Sequence, residues 1–163
     1  MTMLAIIHYS RTGGSRQLAE AASDGAAEAS NIAVRLLDAR NAISADVLAA
    51  DGLIFACPEN LAAIAGEMKA FFDRTYYDVL GRIEGRPYAA FICAGSDGHN
   101  AARQLERIAT GWRLKRVADT LIVNVDAQTT EAILAEKTIA EAELAKAREI
   151  GALMAAGLEV GVF

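Results

Sequence analysis

Short runs of apolar residues alternate along the chain with stretches whose apolar positions recur every three or four residues. Residues 3–8 and 53–57 are almost wholly apolar, which is typical of strands that are buried on both faces of a sheet. Three further runs, in part rich in β-branched residues, lie at 32–37, at 88–93 and within 117–125. The pattern therefore predicts five strands.

The stretches between these strands have the spacing of amphipathic helices. Ser44 is expected to cap a short second helix, and Thr138 with Glu141 forms a capping box for the last helix, which Gly157 is expected to end. The predicted helices span residues 15–29, 45–50, 65–80, 101–112 and 138–157.

Strands that alternate with helices in this way predict a three-layer α/β sandwich, in which helices cover both faces of a five-stranded parallel sheet. Right-handed crossovers bring the loops that follow the strands to one edge of that sheet. Three of these loops, residues 9–15, 58–65 and 94–100, are rich in Gly, Ser, Asn and acidic residues. Because ligands of open α/β sheets bind at this edge, the three loops predict a binding site.

Composition narrows the class of protein. With 163 residues, 53% of them hydrophobic and 23% charged, we expect a single folded domain over residues 1–163. The net charge of −5 argues against a nucleic-acid partner, and no apolar run approaches the roughly 18 residues of a membrane span, so no membrane partner is expected. Two cysteines are too few for a disulfide scaffold, which favours a cytoplasmic protein. No metal site is predicted, because no cluster of His, Cys and Asp has the spacing of metal ligands.

The loop after the first strand has the chemistry of an anion site. Residues 10–15 supply three hydroxyls and two adjacent glycines between a strand and a helix. A glycine-rich backbone can curl so that several N–H groups point at one anion, and the helix N-terminus adds positive potential. The loop contains neither Gly-Lys-Ser/Thr nor GxGxxG, which argues against a nucleoside triphosphate or a conventionally held dinucleotide. A terminal phosphomonoester is the ligand that this loop favours.

Together, the three loops resemble those of the flavodoxin-like superfamily, and in particular of its NAD(P)H-dependent FMN reductases. Ser-Arg-Thr-Gly-Gly-Ser at 10–15 is similar to the loop that binds the FMN phosphate. Pro-Glu-Asn at 58–60 and Met-Lys-Ala-Phe-Phe-Asp at 68–73 are similar to the flavin-ring loop and its following helix. Ala-Gly-Ser-Asp-Gly at 94–98 corresponds to the glycine-rich loop after the fourth strand. The likeness covers nearly the whole chain and implies a flavodoxin-like fold with strand order 2-1-3-4-5.

The resemblance also implies FMN as the cofactor and the residues that hold it. Backbone N–H groups near the ring would stabilise the charge gained on reduction. Neither ring loop contains the aromatic residues that sandwich the ring in electron-carrier flavodoxins, which favours hydride transfer from a nicotinamide or a ring completed by a partner subunit. The implied phosphate residues are Ser10, Arg11, Thr12, Gly13, Gly14 and Ser15, and the implied ring residues are Pro58, Glu59, Asn60, Leu61, Ala94, Gly95, Ser96, Asp97 and Gly98.

Three further residues are candidates for chemistry at this edge. His99 follows the third loop at the start of a helix, where it would assist proton transfer to reduced flavin or to substrate. Cys57 and Cys93 lie near the ends of inner strands, and two interpretations are open: a redox pair, or small buried hydrophobic residues, which are commoner. The apolar tail, residues 158–163, would dock either on the body or on a second subunit, so that a homodimer or homotetramer is left open.

These expectations combine into an FMN-dependent oxidoreductase that takes a hydride from NADPH or NADH and reduces a quinone, a flavin or a similar small-molecule electron acceptor. Two alternatives stay open. One is a flavodoxin-type electron carrier without turnover of its own, and the other is a flavodoxin-like scaffold that has lost the cofactor.

Overall fold

The computed structural model describes all 163 residues, in which strands and helices alternate. None of its helices is both long enough and apolar enough to cross a bilayer. The strands are β1 (Met3–His8), β2 (Ala33–Asp38), β3 (Gly52–Asn60), β4 (Ala63–Ile64), β5 (Pro87–Ala94), β6 (Lys115–Arg116) and β7 (Leu121–Asn124). The helices are α1 (Gly14–Ala29), α2 (Ser44–Ala49), α3 (Gly66–Val79), α4 (His99–Gly111), α5 (Thr130–Leu134) and α6 (Glu141–Val160).

Hydrogen bonding orders the sheet as β2-β1-β3-β5, and β6 and β7 share the next position beside β5. All of these pairs are parallel, which confirms the predicted order and the three-layer α/β fold. The sheet has seven strands rather than the predicted five. The difference arises because the last strand is split in two and because β3 continues past the sheet edge to form an antiparallel hairpin with β4.

Helices α1 and α6 pack together on one face of the sheet, and α2, α3 and α4 cover the other. Two glycines allow the close approach of α1 and α6. A Cβ on Gly25 would lie 2.1 Å from the carbonyl oxygen of Arg148, and one on Gly151 would lie 1.9 Å from that of Ala22. A side chain at either glycine would therefore force the two helices apart.

The opposite face is filled by an aromatic cluster centred on Phe55 of β3. The Phe72 ring of α3 and the Trp112 ring lie 5.0 Å and 6.2 Å from it, centroid to centroid, in tilted and edge-on arrangements. Phe71 is also fully buried in this cluster. These aromatic side chains belong to the core and are not available to the loops at the sheet edge.

Two predicted helix caps are wrong. Ser44 is the first residue of α2 rather than its cap, and its hydroxyl donates to the Asp78 carboxylate over 2.6 Å. Thr138 does not cap α6, which begins only at Glu141. The backbone before α6 is held instead by Gln17 of α1, whose side chain bonds residues 137 and 139. A distant side chain thus replaces the local capping box.

The last helix runs past its predicted end. Gly157 lies inside α6, which continues to Val160 and ends at Gly161, a residue with a φ of +67°. The absent side chain of Gly157 leaves room for the ring of Phe163, since a Cβ there would lie 2.2 Å from that ring. Of the two interpretations of the apolar tail, the structure supports docking on the body of the same chain.

Candidate functional site

The loop between β1 and α1 has the form of an anion site. Gly13 has a φ of +95°, which favours glycine, and its N–H donates to Ser10 Oγ over 2.9 Å. Gly14 has no room for a side chain, because a Cβ there would lie 2.6 Å from Cys93 Sγ. Ser15 is 1% exposed, and its Oγ has no hydrogen-bond partner within the protein. Since buried hydroxyls are nearly always satisfied, this one is suited to a ligand oxygen.

A cavity of about 150 Å³, termed here the phosphate cavity, adjoins this loop. Arg11 lines it, and because its exposed guanidinium makes no ion pair and no hydrogen bond with a protein side chain, its charge is available to an anion. The N-terminus of α1 lies at the same loop and adds positive potential. The lining residues are Ser10, Arg11, Thr12, Gly14, Ser15, Pro58, Asn60, Cys93, Ile133 and Leu134.

A larger cavity of about 580 Å³, termed here the ring cavity, shares part of this lining and runs along the carboxyl edge of the sheet. Its volume is within the range of small-molecule sites. All three predicted loops contribute to it, and no aromatic side chain does. The lining residues are Thr12, Pro58, Glu59, Asn60, Leu61, Ala62, Cys93, Ala94, Gly95, Ser96, Val125, Ala127, Ile133 and Lys137.

The second loop is a tight hairpin between β3 and β4. Its two tip residues, Leu61 and Ala62, have φ values of +52° and +62°, which are uncommon for residues other than glycine. Helix α4 holds this strained tip in place: Asn100 Nδ2 donates to the Ala62 carbonyl, and the backbone N–H of Ile64 donates to Gln104 Oε1 over 2.7 Å. The hairpin therefore depends on α4 for its position.

Glu59 makes a second connection between the hairpin and α4. Its carboxylate accepts hydrogen bonds from the backbone N–H groups of Gly98, over 3.0 Å, and Ala101, over 3.3 Å. It thereby caps the N-terminus of α4, where a negative charge is favourable. The residue lines the ring cavity as the resemblance implies, but its carboxylate is bound to the helix.

The third loop divides into a part at the cavity and a part outside it. Ala94, Gly95 and Ser96 line the ring cavity, whereas Asp97 and Gly98, which were also predicted to do so, do not. The Asp97 carboxylate instead lies 2.7 Å from His99 Nδ1 on the exposed side of the loop, and this hydrogen bond lowers the pKa of Asp97. His99 is exposed at the edge of the site rather than inside it.

The segment after β7 forms a fourth wall of the ring cavity that the sequence pattern did not predict. It is tied to both neighbouring loops: the Ala127 N–H donates to the Gly95 carbonyl over 2.9 Å, and the Lys137 N–H donates to the Thr12 carbonyl over 2.7 Å. The only local signal was Thr129, whose Oγ1 accepts from the Ala132 N–H and caps the short helix α5. The residues of this segment that line the ring cavity are Val125, Ala127, Ile133 and Lys137.

The two cysteines lie on opposite faces of the sheet. Cys57 is in the core beneath α2, α3 and α4, and Cys93 is in the core beneath α1 and α6, so they cannot form a redox pair in this fold. Burial raises the pKa of Cys57 to about 12 and also raises the pKa of Cys93. Both thiols are therefore protonated near neutral pH, which makes them poor nucleophiles. The interpretation as small buried residues is the one that fits.

Comparison with known proteins places the chain in a family. The model of the NADPH-dependent FMN reductases matches residues 35–128, which is more than half of the chain. The chain belongs to this family. The match contains the second and third loops and confirms the resemblance to the NAD(P)H-dependent FMN reductases.

Individual proteins with similar sequences or structures carry flavodoxin and quinone-oxidoreductase names. A flavodoxin of Aquifex aeolicus (strain VF5) is 36% identical over 98 residues, covering 60% of this chain and 53% of that protein. The quinone-oxidoreductase QR2 of Triphysaria versicolor is 28% identical over 118 residues, covering 60% of this chain and 58% of that protein. The chain thus spans little more than half the length of these curated relatives. A solved flavodoxin from the domain Archaea superposes with a TM-score of 0.78 at 15% identity, over 97% of this chain and 99% of its own, and shows the fold.

The residues of this family member fit FMN. An orphaned, buried Ser15 hydroxyl, an unpaired Arg11 and a helix N-terminus border one cavity, which shares lining residues with the ring cavity. Uncommitted backbone donors lie along it, since the N–H groups of Gly95 and Ser96 take part in no hydrogen bond between backbone groups. Membership of the NADPH-dependent FMN reductase family supports FMN as the cofactor of this chain.

Proposed function

We propose that this protein is an FMN-dependent oxidoreductase that takes electrons from NADPH or NADH and reduces a quinone, a free flavin or a similar small-molecule acceptor. The observation that carries the proposal is the unpartnered Ser15 hydroxyl at the N-terminus of α1, which lines the phosphate cavity beside the ring cavity. The likeness to a quinone oxidoreductase supports the enzymatic form of the function.

The phosphate would be held by residues 10–15. Ser15 Oγ and the hydroxyl of Thr12 donate to its oxygens, and the N-terminus of α1 stabilises its charge. Arg11 lies at the exposed side of this cavity and balances the second negative charge. No lysine is needed, since hydroxyls, backbone N–H groups and one guanidinium together complement a dianion.

The ring would lie in the ring cavity, between the hairpin tip and the third loop. When bound, FMN supplies the chemistry of two-electron and one-electron transfer, which no side chain of this chain can provide. The chain's own part is to orient the ring and to place the N–H groups of Gly95 and Ser96 where negative charge develops. Pro58 and Asn60 complete this wall from the hairpin.

His99 is a candidate for proton delivery at the edge of the site. It is exposed, and the hydrogen bond between its Nδ1 and the Asp97 carboxylate orients the imidazole ring. Because it does not line the ring cavity, it would act on an acceptor bound at the cavity mouth rather than on the flavin itself.

An electron carrier of the flavodoxin type is the second candidate function. The specific observation in its favour is the 36% identity with the Aquifex aeolicus flavodoxin. Both functions need the same FMN site, so they differ only in whether the protein itself oxidises a nicotinamide.

The first experiment separates these functions. Purified protein is incubated with FMN, desalted and examined by visible absorption, then reduced anaerobically with NADPH or NADH, and finally assayed with a quinone. We expect a bound flavin spectrum, bleaching by one nicotinamide and steady turnover. Bleaching by dithionite alone would assign the carrier function, and a colourless protein after incubation would leave only a scaffold that has lost the cofactor.

A substitution tests the phosphate loop directly. Thr12→Glu places a carboxylate in the anion site and is expected to abolish FMN binding, because two negative groups would share one cavity. Thr110→Glu, on the exposed face of α4 and away from both cavities, is the matched control and should bind FMN normally. Equal FMN affinity of the two variants in a fluorescence titration would remove this loop from the site.

A further inference from the structure

The ring cavity has an unusual lining for a flavin site. Flat aromatic ligands are commonly held against aromatic side chains, yet no Phe, Tyr or Trp lines either cavity. Large apolar side chains are exposed here instead. Leu61 at the hairpin tip is fully exposed, and Ile133 and Leu134 of α5 are 54% and 64% exposed.

Ile133 occupies a distinctive position among these three side chains. It lines both the phosphate cavity and the ring cavity, whereas Leu61 lines only the ring cavity and Leu134 lines the phosphate cavity and an outer, polar cavity. Ile133 therefore lies where a ligand that extends from Ser15 into the ring cavity can contact it, together with the other residues common to both cavities, Thr12, Pro58, Asn60 and Cys93. Contact with such a ligand would remove apolar surface of Ile133 from water, which is favourable.

The segment that carries Ile133 is anchored for this role. Thr129 caps the start of α5, and Lys137 Nζ donates to the carbonyl oxygens of Ile133, over 2.9 Å, and Ala135. Gln17 then holds the following backbone by donating to the Lys137 carbonyl over 2.7 Å. The segment is also tied to the first and third loops on either side of α5, since the Lys137 N–H donates to the Thr12 carbonyl and the Ala127 N–H to the Gly95 carbonyl.

We propose that α5 forms an aliphatic wall of the flavin site and that Ile133 packs directly on the bound flavin, taking the place that an aromatic residue would otherwise fill. The inference rests on the proposed FMN site and assigns to it a contact that none of the three predicted loops supplies. The first consequence is that Ile133 contributes to binding of the flavin moiety of FMN and not to binding of its phosphate. The second is that bound FMN keeps much of its fluorescence, because aliphatic side chains do not quench excited flavin by electron transfer as Trp and Tyr do.

Binding affinity tests the first consequence. Kd values for FMN and for riboflavin are measured by titration with Ile133→Ala and with Ser15→Ala. Removing the larger part of the Ile133 side chain should raise the Kd of both FMN and riboflavin by about ten-fold, because both ligands contain the flavin moiety. Ser15→Ala should weaken FMN alone, since riboflavin has no phosphate. Unchanged affinities in Ile133→Ala would overturn the proposed contact.

Fluorescence tests the second consequence. Bound FMN should be markedly emissive in the unmodified protein, and Ile133→Trp should quench its emission by about five-fold or more. Leu153→Trp, at an exposed position on α6 that lines neither cavity, is the control and should leave the emission unchanged. Equal emission from the two tryptophan variants, at saturating FMN, would place α5 away from the flavin.

The outcomes also separate this inference from the proposed function. If the unmodified protein binds no FMN, both are overturned. If it binds FMN with affinity and emission that are indifferent to residue 133, the proposed function stands and the aliphatic wall does not.

Discussion

The connection from Glu59 to α4 allows a quantitative prediction. Glu59→Ala removes the acceptor of two backbone N–H groups, those of Gly98 and Ala101, which lie in buried residues. Hydrogen bonds to a charged group contribute roughly 1.5–3 kcal/mol each. Because Glu59 is partly exposed and its 3.3 Å bond is long, we expect a total loss of about 2–3 kcal/mol in the free energy of unfolding.

The assay is thermal and urea unfolding of the cofactor-free protein. For a chain of this size, the expected loss corresponds to a fall in Tm of about 5–10 °C. Glu59→Gln keeps one acceptor oxygen but loses the charge that favours the helix N-terminus, so it should lose only about 1 kcal/mol. FMN binding should be weaker in Glu59→Gln than in the unmodified protein and weakest in Glu59→Ala, since Glu59 positions the hairpin that lines the ring cavity.

A matched control is Glu28→Ala, which removes an exposed carboxylate of α1 that has no ion-pair partner. Its effect should stay within about 0.5 kcal/mol of the unmodified protein, as is usual for surface substitutions. If Glu59→Ala were as mild as this control, the reasoning that Glu59 caps α4 and couples the two loops would be refuted.

Three other predictions concern single residues. Ser15→Ala should leave the cofactor-free protein as stable as before or more so, because it removes an unpaired buried hydroxyl, and yet weaken FMN binding by about 1–3 kcal/mol; a parallel loss of stability in unfolding experiments would contradict this. Ala62→Gly should stabilise the hairpin by about 0.5–1 kcal/mol in urea unfolding, since the positive φ costs alanine more than glycine loses in chain entropy, and a destabilised variant would argue against the strained turn. Burial lowers the pKa of His8 in the folded protein, and the nearby Asp38 charge partly offsets this effect. As the pH falls, the unfolded chain therefore binds a proton at His8 before the folded protein does. Stability should therefore be full above pH 6.5 and fall as the pH drops from there towards the lowered folded value, and His8→Gln should flatten this part of the profile.

Much of the fold follows from local patterns, because burial on both faces of a parallel strand leaves a mark in a few adjacent residues. The buried run of β1 and the glycines that follow it predict both the strand and the turn into α1. The two-residue strands β4 and β6 are too short for any hydrophobic period to reveal. Helix α5 has no buried residue, so it lacks the apolar stripe by which a helix is recognised.

Within the site, a phosphate loop could be proposed from the sequence because its chemistry is contiguous: three hydroxyls and two glycines lie within six residues. For the ring cavity, the sequence predicted the loops that line it but not which of their residues face it. That the carboxylate of Glu59 is taken up by α4, and that the third loop turns away from the cavity after Ser96, depends on hydrogen bonds between residues about forty positions apart.

The sequence by itself determined the alternation of strands and helices and the glycine-rich turn after β1, since each depends on residues that are neighbours along the chain. Only the tertiary structure decided what surrounds the ring cavity. It brought Ile133 and Lys137 beside Thr12, more than 120 positions earlier, and it separated Cys57 from Cys93 across the sheet. Such contacts are set by how the layers pack, because packing joins distant segments that no local pattern connects.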